Sequence, residues 1–426
     1  MSTGRERVKR ILFMDSFPRL GGAEQSLIEL LTHIDRERFA LSFLTSEEGE
    51  LVSEVRRLGI PVHLCPMPER VAVISRTALD LVSLLRLPGP LLGYLARLER
   101  LIRSLRPHMT YSNALKDHIA SALLAPMVHK PIIWHFRDLL ENHTLKTFVE
   151  TLALATPTHL IANSKFTAQQ FPRLSRRAGR STVVYNGMNL DEIDRKRQSP
   201  IEGTLPSTVV RDGVDLDEID RRRKSPLTGS VPAGEGLVVG IVGAICPEKG
   251  QELLIRALPR IAEQVPVSCW IVGDEIYHTA RHPKGFRSRL ERIARELGVR
   301  DCVQFLGWRK DAIALINKMD ILVCASDPNL SIETFGRTVA ESMACEKPVV
   351  SVAWGGPLET VVDGVTGTFF HDYTPEALAD AILDMVRHAQ RMEGMGRAGR
   401  KRIEQLFTIG EYVRGVERTI TQILGA

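Results

Sequence analysis

Short runs of Val, Ile and Leu alternate along this chain with longer segments of helical periodicity, and the series runs through twice. Val8–Met14, Leu41–Leu44, Met109–Ser112, Ile132–Phe136, His159–Ala162 and Thr182–Tyr185 form the first series. Val238–Val242, Val267–Val272, Val303–Phe305, Ile321–Cys324 and Val349–Ser351 form the second, separated by helical segments such as Gln251–Glu263 and Arg287–Leu297. The alternation is the signature of a parallel sheet flanked by helices, and two doubly wound α/β units in tandem account for it most simply. A chain of 426 residues has the length for two compact domains. With 44% hydrophobic and 25% charged residues it can bury a substantial core without covalent staples.

The six cysteines (Cys65, Cys246, Cys269, Cys302, Cys324, Cys345) lie far apart, with no C-x-x-C pair and no His at ligand spacing. That pattern points to neither a zinc site nor a disulfide framework. Met1–Arg10 is followed only by the short apolar run Ile11–Met14, too short for a signal h-region or a membrane span, so a cytoplasmic location is expected. A net charge of +5 is too small over this length to argue for nucleic-acid binding. From Arg76 to Arg106, Arg76, Arg86, Arg97, Arg100, Arg103 and Arg106 stand among many leucines, and the segment reads as basic amphipathic helices broken at Pro88-Gly89-Pro90. Two readings are open: peripheral docking on the anionic inner face of a membrane, or a leucine stripe turned to the core beneath a solvated arginine face.

Ser181–Pro200 and Ser207–Pro226 are near copies, STVVYNGMNLDEIDRKRQSP and STVVRDGVDLDEIDRRRKSP. Two copies cannot make a solenoid, which needs at least three units. They form a tandem duplication at the junction of the two series. The polar residues, Pro and Gly of Ser199–Gly236 predict a loop or linker there, with Thr182–Asn189 completing the first domain.

Three segments carry chemistry. Gly21-Gly22-Ala23-Glu24 follows the first strand and opens the helical run Ala23–Ile34, where backbone N–H groups and the helix dipole favour an anion such as a diphosphate; a plain turn is the other reading. Gly243-Ala244-Ile245-Cys246-Pro247-Glu248-Lys249-Gly250 is a second strand-to-helix turn. It places Lys249 beyond the end of a strand, where open α/β sheets bind ligands, and one ammonium suits a leaving phosphate. Ser331–Ala344 carries Glu333 at an expected helix start and Glu341 about two turns deeper. The N–H groups of Thr334, Phe335 and Gly336 would be open to anionic or hydroxyl oxygens, and apolar neighbours from Phe335 to Ala344 argue against two merely solvated carboxylates.

Taken together and in this order, these motifs make the chain resemble a retaining glycosyltransferase of family 4, of the glycosyl transferases group 1 type. The resemblance implies an α/β GT-B fold: two facing Rossmann-like doubly wound domains with parallel sheets. It covers nearly the whole chain apart from the duplicated segment. Its most distinctive part is the E-x7-E pattern of Glu333 and Glu341, followed by Lys347-Pro348-Val349-Val350-Ser351 and the turn Gly355-Gly356-Pro357-Leu358-Glu359. The implied organisation is an acceptor-side domain over 1–190, a linker over 191–236, a nucleotide-sugar donor domain over 237–408 and a C-terminal helix over 409–426. That helix crosses back to the first domain through Tyr412, Val416, Ile420 and Ile423.

The resemblance further implies that Glu333 contacts hydroxyls of the donor sugar, Glu341 binds the ribose hydroxyls and Lys249 contacts the diphosphate. Gly21-Gly22 would close over the diphosphate from the opposite domain. His135, in Trp134-His135-Phe136-Arg137-Asp138, matches the family's His that approaches the reacting sugar. Asn186-Gly187 matches the segment ending the first domain, and Gly307-Trp308-Arg309 falls where family members line the base pocket. Many relatives carry an Arg soon after the first glycine of the G-x-x-x-x-x-K-G loop, where this chain has Ala244-Ile245 after Gly243. Arg309 and Arg337 are the substitutes at hand, so a low-affinity or slow donor site is expected.

The implied activity is hexosyl transfer with retention, needing no metal or cofactor, from a UDP- or GDP-sugar to a hydroxyl of a sugar, lipid-linked or small-molecule acceptor. Asp215-Leu216-Asp217 makes a D-x-D pair, but the first copy reads Asn189-Leu190-Asp191, so the pair is assigned to the linker. Two other readings stand beside this one: another GT-B enzyme, such as a nucleotide-sugar epimerase or a phosphorylase, and a catalytically weak sugar-nucleotide binding protein.

Overall fold

The computed structural model describes residues 8–68, 88–140, 142–201, 236–275 and 284–425. The chain divides into two compact units, Met1–Gly187 with Ile409–Ala426, and Met188–Thr408.

The first unit holds β1 (Lys9–Met14), β2 (Phe39–Thr45), β3 (Val62–Leu64), β4 (Met109–Ser112), β5 (Ile132–Phe136), β6 (Thr158–Ala162) and β7 (Ser181–Val183). Their order is β3-β2-β1-β4-β5-β6-β7, and every neighbouring pair is parallel. The order reverses between β1 and β4, the place where loops beyond the strand ends part and leave a crevice. Alternate residues of β1 serve opposite faces, as the period of a strand requires. Ile11 and Phe13 join Leu27, Leu30 and Leu31 of the helix Gly22–His33, while Leu12 and Met14 join Tyr94, Leu98 and Ile102 of the helix Pro88–Leu105. The last helix, Ile409–Leu424, belongs to this unit and adds Tyr412, Val413, Val416 and Ile420 to the cluster of Ile11 and Phe13.

The second unit holds β8 (Leu237–Val242), β9 (Val267–Val272), β10 (Val303–Gly307), β11 (Ile321–Cys324), β12 (Val349–Val352) and β13 (Gly367–Phe370), in the parallel order β10-β9-β8-β11-β12-β13. Here the reversal falls between β8 and β11. Leu254, Leu258 and Ile261 of the helix Gln251–Ala262, with Leu378 and Ile382 of the helix Pro375–Arg387, cover Val239 and Ile241 of β8.

Several sequence expectations shift. β3 and β13 are edge strands, VHL and GTFF, whose His, Gly and Thr break the apolar run that would announce them. Residues 190–197, placed across the start of the linker, form a helix of the second unit. Asn189 caps it by accepting the Glu192 N–H at 3.2 Å, Ile193 is buried, and Asp194 receives both Arg400 Nη atoms at 2.8 Å. The rest of the linker expectation, 202–235 with Asp215-Leu216-Asp217, lies outside the described residues. So do Arg76 and Arg86. From Pro88 onward the basic segment is one helix that buries Leu98 and Ile102 and leaves Arg97, Arg100 and Arg103 exposed, the leucine-to-core arrangement. Among the described residues no helix is long and apolar enough to cross a membrane. All six cysteines are free thiols.

Candidate functional site

The loop from β8 into the helix Gln251–Ala262 carries Lys249 at the end of a 3-10 turn, Pro247–Lys249. Gly250 closes that turn at φ +75°, and a Cβ there would sit 1.8 Å from the Ala325 carbonyl oxygen. Only glycine lets this loop lie so close against the segment after β11. The Asp327 N–H donates to Glu248 O at 2.8 Å and reinforces the contact. As a result Lys249 Nζ meets Glu333 Oε2 at 2.7 Å. The Lys249 charge, followed by hydrogen bonds from Lys249, the Gly336 N–H and Ser326, holds the Glu333 carboxyl below its usual range against the opposing effect of burial. Glu333 in turn raises Lys249 above the ordinary lysine range.

The helix that carries Glu341 starts at Arg337, with Gly336 as its N-cap at φ +81°, so Glu333 lies in the loop before the helix and not at its start. The Gly336 N–H is spent on Glu333. Phe335 is buried edge-on against Phe407. Glu341 accepts a bond from Arg337 Nε at 2.8 Å, and Arg309 forks onto Asp311 at 2.7 and 2.6 Å. Both arginines considered as substitutes for a diphosphate clamp are therefore engaged with carboxylates. Gly243 and Gly307 stand at the ends of β8 and β10 with φ of +152° and +69°.

In the first unit, Gly21 and Gly22 open the helix Gly22–His33, but the Gly21 N–H donates to Glu24 Oε2 at 3.0 Å in a capping box. That amide is taken by the helix's own carboxylate. Burial raises the Glu24 carboxyl above its usual range. His135 is completely buried within β5, facing the same side as Ile133. Its Nδ1 contacts the Tyr111 hydroxyl and accepts from Arg137 Nη2 at 3.1 Å. A guanidinium only donates, which assigns the ring proton to Nε2, an atom with no partner among the described residues. Burial, then Arg137, pushes the His135 pKa down, so the ring is neutral. The expected approach of His135 to a reacting sugar thus meets a ring inside the sheet; the residue at the strand end is Arg137.

Arg137 was missed by sequence reasoning. It bonds Asn113 Oδ1 at 3.0 Å, Asn186 Oδ1 and the Tyr412 hydroxyl at 2.5 Å. Asn113 in turn donates to Asp15 Oδ2 at 2.8 Å, and Asp117 accepts from the Ser16 N–H and hydroxyl, both at 2.7 Å. Burial raises Asp15 well above its ordinary value and Asp117 to about 6. A usable signal was present: Asp15, Asn113, Arg137 and Asn163 are each the first residue past an apolar strand.

Two parallel α/β units with polar loops at their strand ends define the GT-B class, and comparison with known proteins supports it. The family model "Glycosyltransferase Family 4" matches residues 20–192, and "Glycosyl transferases group 1" matches residues 229–402. Residues 20–192 are thus similar to the first of these families and residues 229–402 to the second. HepE of Anabaena, crystallised with UDP, is 24% identical with a TM-score of 0.74 over 97% of this chain and 100% of that one. Sucrose-phosphate synthase of Thermosynechococcus elongatus is 16% identical with a TM-score of 0.71 over 98% and 99%.

Among sequence relatives, a GDP-mannose-dependent alpha-(1-6)-phosphatidylinositol monomannoside mannosyltransferase of Mycolicibacterium smegmatis is 34% identical over 173 residues, 39% of this chain and 43% of that one. A D-inositol 3-phosphate glycosyltransferase of Kribbella flavida is 32% identical over 170 residues, 38% of each. The matched stretch spans less than half of either relative.

Proposed function

We propose that this chain transfers a hexose from a nucleoside-diphosphate sugar, UDP- or GDP-linked, to an acceptor hydroxyl with retention of anomeric configuration and without a metal. The observation that carries the reading is the Lys249–Glu333 pair at 2.7 Å, set beyond the ends of β8 and β11, where the order of the second sheet reverses. In the reaction the bond from the sugar C1 to the β-phosphate oxygen breaks. The acceptor oxygen bonds C1 on the same face, and its proton passes to the departing phosphate. Lys249 neutralises the charge that grows on that phosphate, an interaction stronger in the transition state than in the bound donor. Glu333 accepts hydrogen bonds from donor-sugar hydroxyls, Glu341 from the ribose, and the backbone of Thr334 and Phe335 lines the sugar.

On this reading the first domain serves the acceptor, and His135 acts by positioning Arg137. HepE has been crystallised with UDP-glucose, while the Mycolicibacterium relative is named for GDP-mannose, which supports the donor class and leaves both bases in play. The relatives named for phosphatidylinositol mannoside and inositol phosphate support a hydroxyl acceptor.

A thermal-shift screen across nucleoside diphosphates and their sugars tests the reading, because a ligand of the folded state raises its melting temperature. A donor that both stabilises the chain and is transferred supports it; the absence of any shift overturns it. The engagement of Arg309 and Arg337 with carboxylates favours a second reading, a weak sugar-nucleotide binder. Binding without transfer or hydrolysis is its signature.

A further inference from the structure

We propose that Trp354 determines specificity for the sugar of the donor, as an aromatic platform beside Glu333. This rests on the donor reading above. Of the four tryptophans, Trp134 and Trp270 are buried, whereas Trp308 is 66% exposed and Trp354 50% exposed. A half-solvated indole leaves a large apolar face unused by the fold.

The backbone that carries this indole is fixed to the backbone of Glu333. Directly after β12 the Trp354 N–H donates to Val352 O at 2.8 Å, and the chain then turns through Gly355 at φ +71°. The Gly356 N–H donates to Glu333 O at 2.7 Å. A Cβ at Gly355 would come within 2.5 Å of that same oxygen, and one at Gly356 within 2.3 Å of the Thr334 carbonyl, so the two segments lie in direct backbone contact.

The order of the strands says where the loop that carries the indole stands. Along β10-β9-β8-β11-β12, the loop after β10 carries Trp308, the loop after β8 Lys249, the loop after β11 Glu333 and the loop after β12 Trp354. Adjacent strands are about 4.8 Å apart, so the row from β10 to β12 spans about 19 Å with the ammonium midway. A nucleoside-diphosphate sugar has the same linear order, a base, a diphosphate and a sugar. With Lys249 at the diphosphate, the tryptophans fall at its two ends, and Glu333 identifies the sugar end because a carboxylate accepts from hydroxyls. A hexose presents hydroxyls at its rim and C–H groups on its faces. Glu333 takes the rim and Trp354 the C–H face.

Tryptophan emission of the full chain reads this directly. In Trp308→Phe, Trp354 is the exposed reporter, and its emission shifts on titration with UDP-glucose or GDP-mannose but not with UDP or GDP. Trp354→Ala raises KM for the sugar nucleotide about tenfold while leaving the affinity for the bare diphosphate unchanged, and Trp354→Phe restores most of the loss. An equal shift with the bare diphosphate, or an unchanged KM in Trp354→Ala, overturns the inference alone. If neither sugar nucleotide binds the wild-type chain, the donor reading falls and takes this inference with it.

Discussion

Tyr412, on the last helix of the chain, accepts a hydrogen bond from Arg137 at 2.5 Å and donates its own to the Ser26 carbonyl at 3.1 Å. One buried hydroxyl thus ties the end of β5, the C-terminal helix and the helix that follows the glycine pair.

Tyr412→Phe removes both bonds while keeping the ring. Each buried hydrogen bond to a charged or backbone partner is worth about 1–3 kcal/mol, so the urea unfolding midpoint should fall measurably. An unchanged midpoint would show that the hydroxyl adds nothing to the fold.

Lys249→Ala and Glu333→Gln address the proposed chemistry. Losing one charge-stabilising donor typically lowers turnover about 10²–10³-fold, and that is the effect expected in a sugar-transfer assay with the fold retained. Wild-type turnover in both variants would remove these two residues from the mechanism.

The same pair has a defined pH window. Glu333 is depressed, so its contribution to stability is present above the unfolded carboxyl value of about 4.3 and is lost as pH falls through its lower folded value. Lys249 is raised, so its contribution is present below about 10.4 and is lost as pH rises through its higher folded value. A double-mutant cycle over Lys249→Met and Glu333→Gln should give a coupling energy that is flat from about pH 5 to pH 10. A coupling that titrates near neutrality would contradict the assignment.

Asp117 works in the opposite sense. Its folded pKa, about 6, is raised above the unfolded value, so its favourable contribution is present below the unfolded value and is lost as pH climbs through 6. Asp117→Asn should therefore gain stability relative to the wild type as pH rises from 4 to 7. Parallel stability curves for the two proteins would disprove the shift.

Ala244→Arg introduces a cation into the loop after β8. With Arg309 and Arg337 engaged elsewhere, the wild-type donor dissociation constant should lie above the low micromolar range. One charge-assisted bond should tighten it by about tenfold or more. Calorimetry with the donor found by thermal shift measures both values.

The strands were legible because a strand buried on both faces reads as an apolar run, and β1, β5, β8 and β11 are such runs. The positions of Lys249 and Glu333 in segments that follow strands, and of Glu341 on a helix, were legible in the sequence. His135 lies within β5 with its ring beside Ile133, and Arg137 is the first residue past the strand, a placement that the motif alone does not reveal. Glu333 was expected on a helix, but the positive φ of Gly336 delays the helix to Arg337. The Gly21 amide was expected to serve an anion, yet a capping carboxylate three residues on already occupies it.

By itself the sequence determined the two parallel sheets and which residues stand at their strand ends, because burial and periodicity are local and leave a record every few residues. Only the tertiary structure decided which charges meet. Lys249 finds Glu333 across 84 residues and Arg137 finds Tyr412 across 275. Those pairings follow from the order in which strands join a sheet and helices cover it, and hydrogen-bonded strand order leaves no periodic trace in the chain.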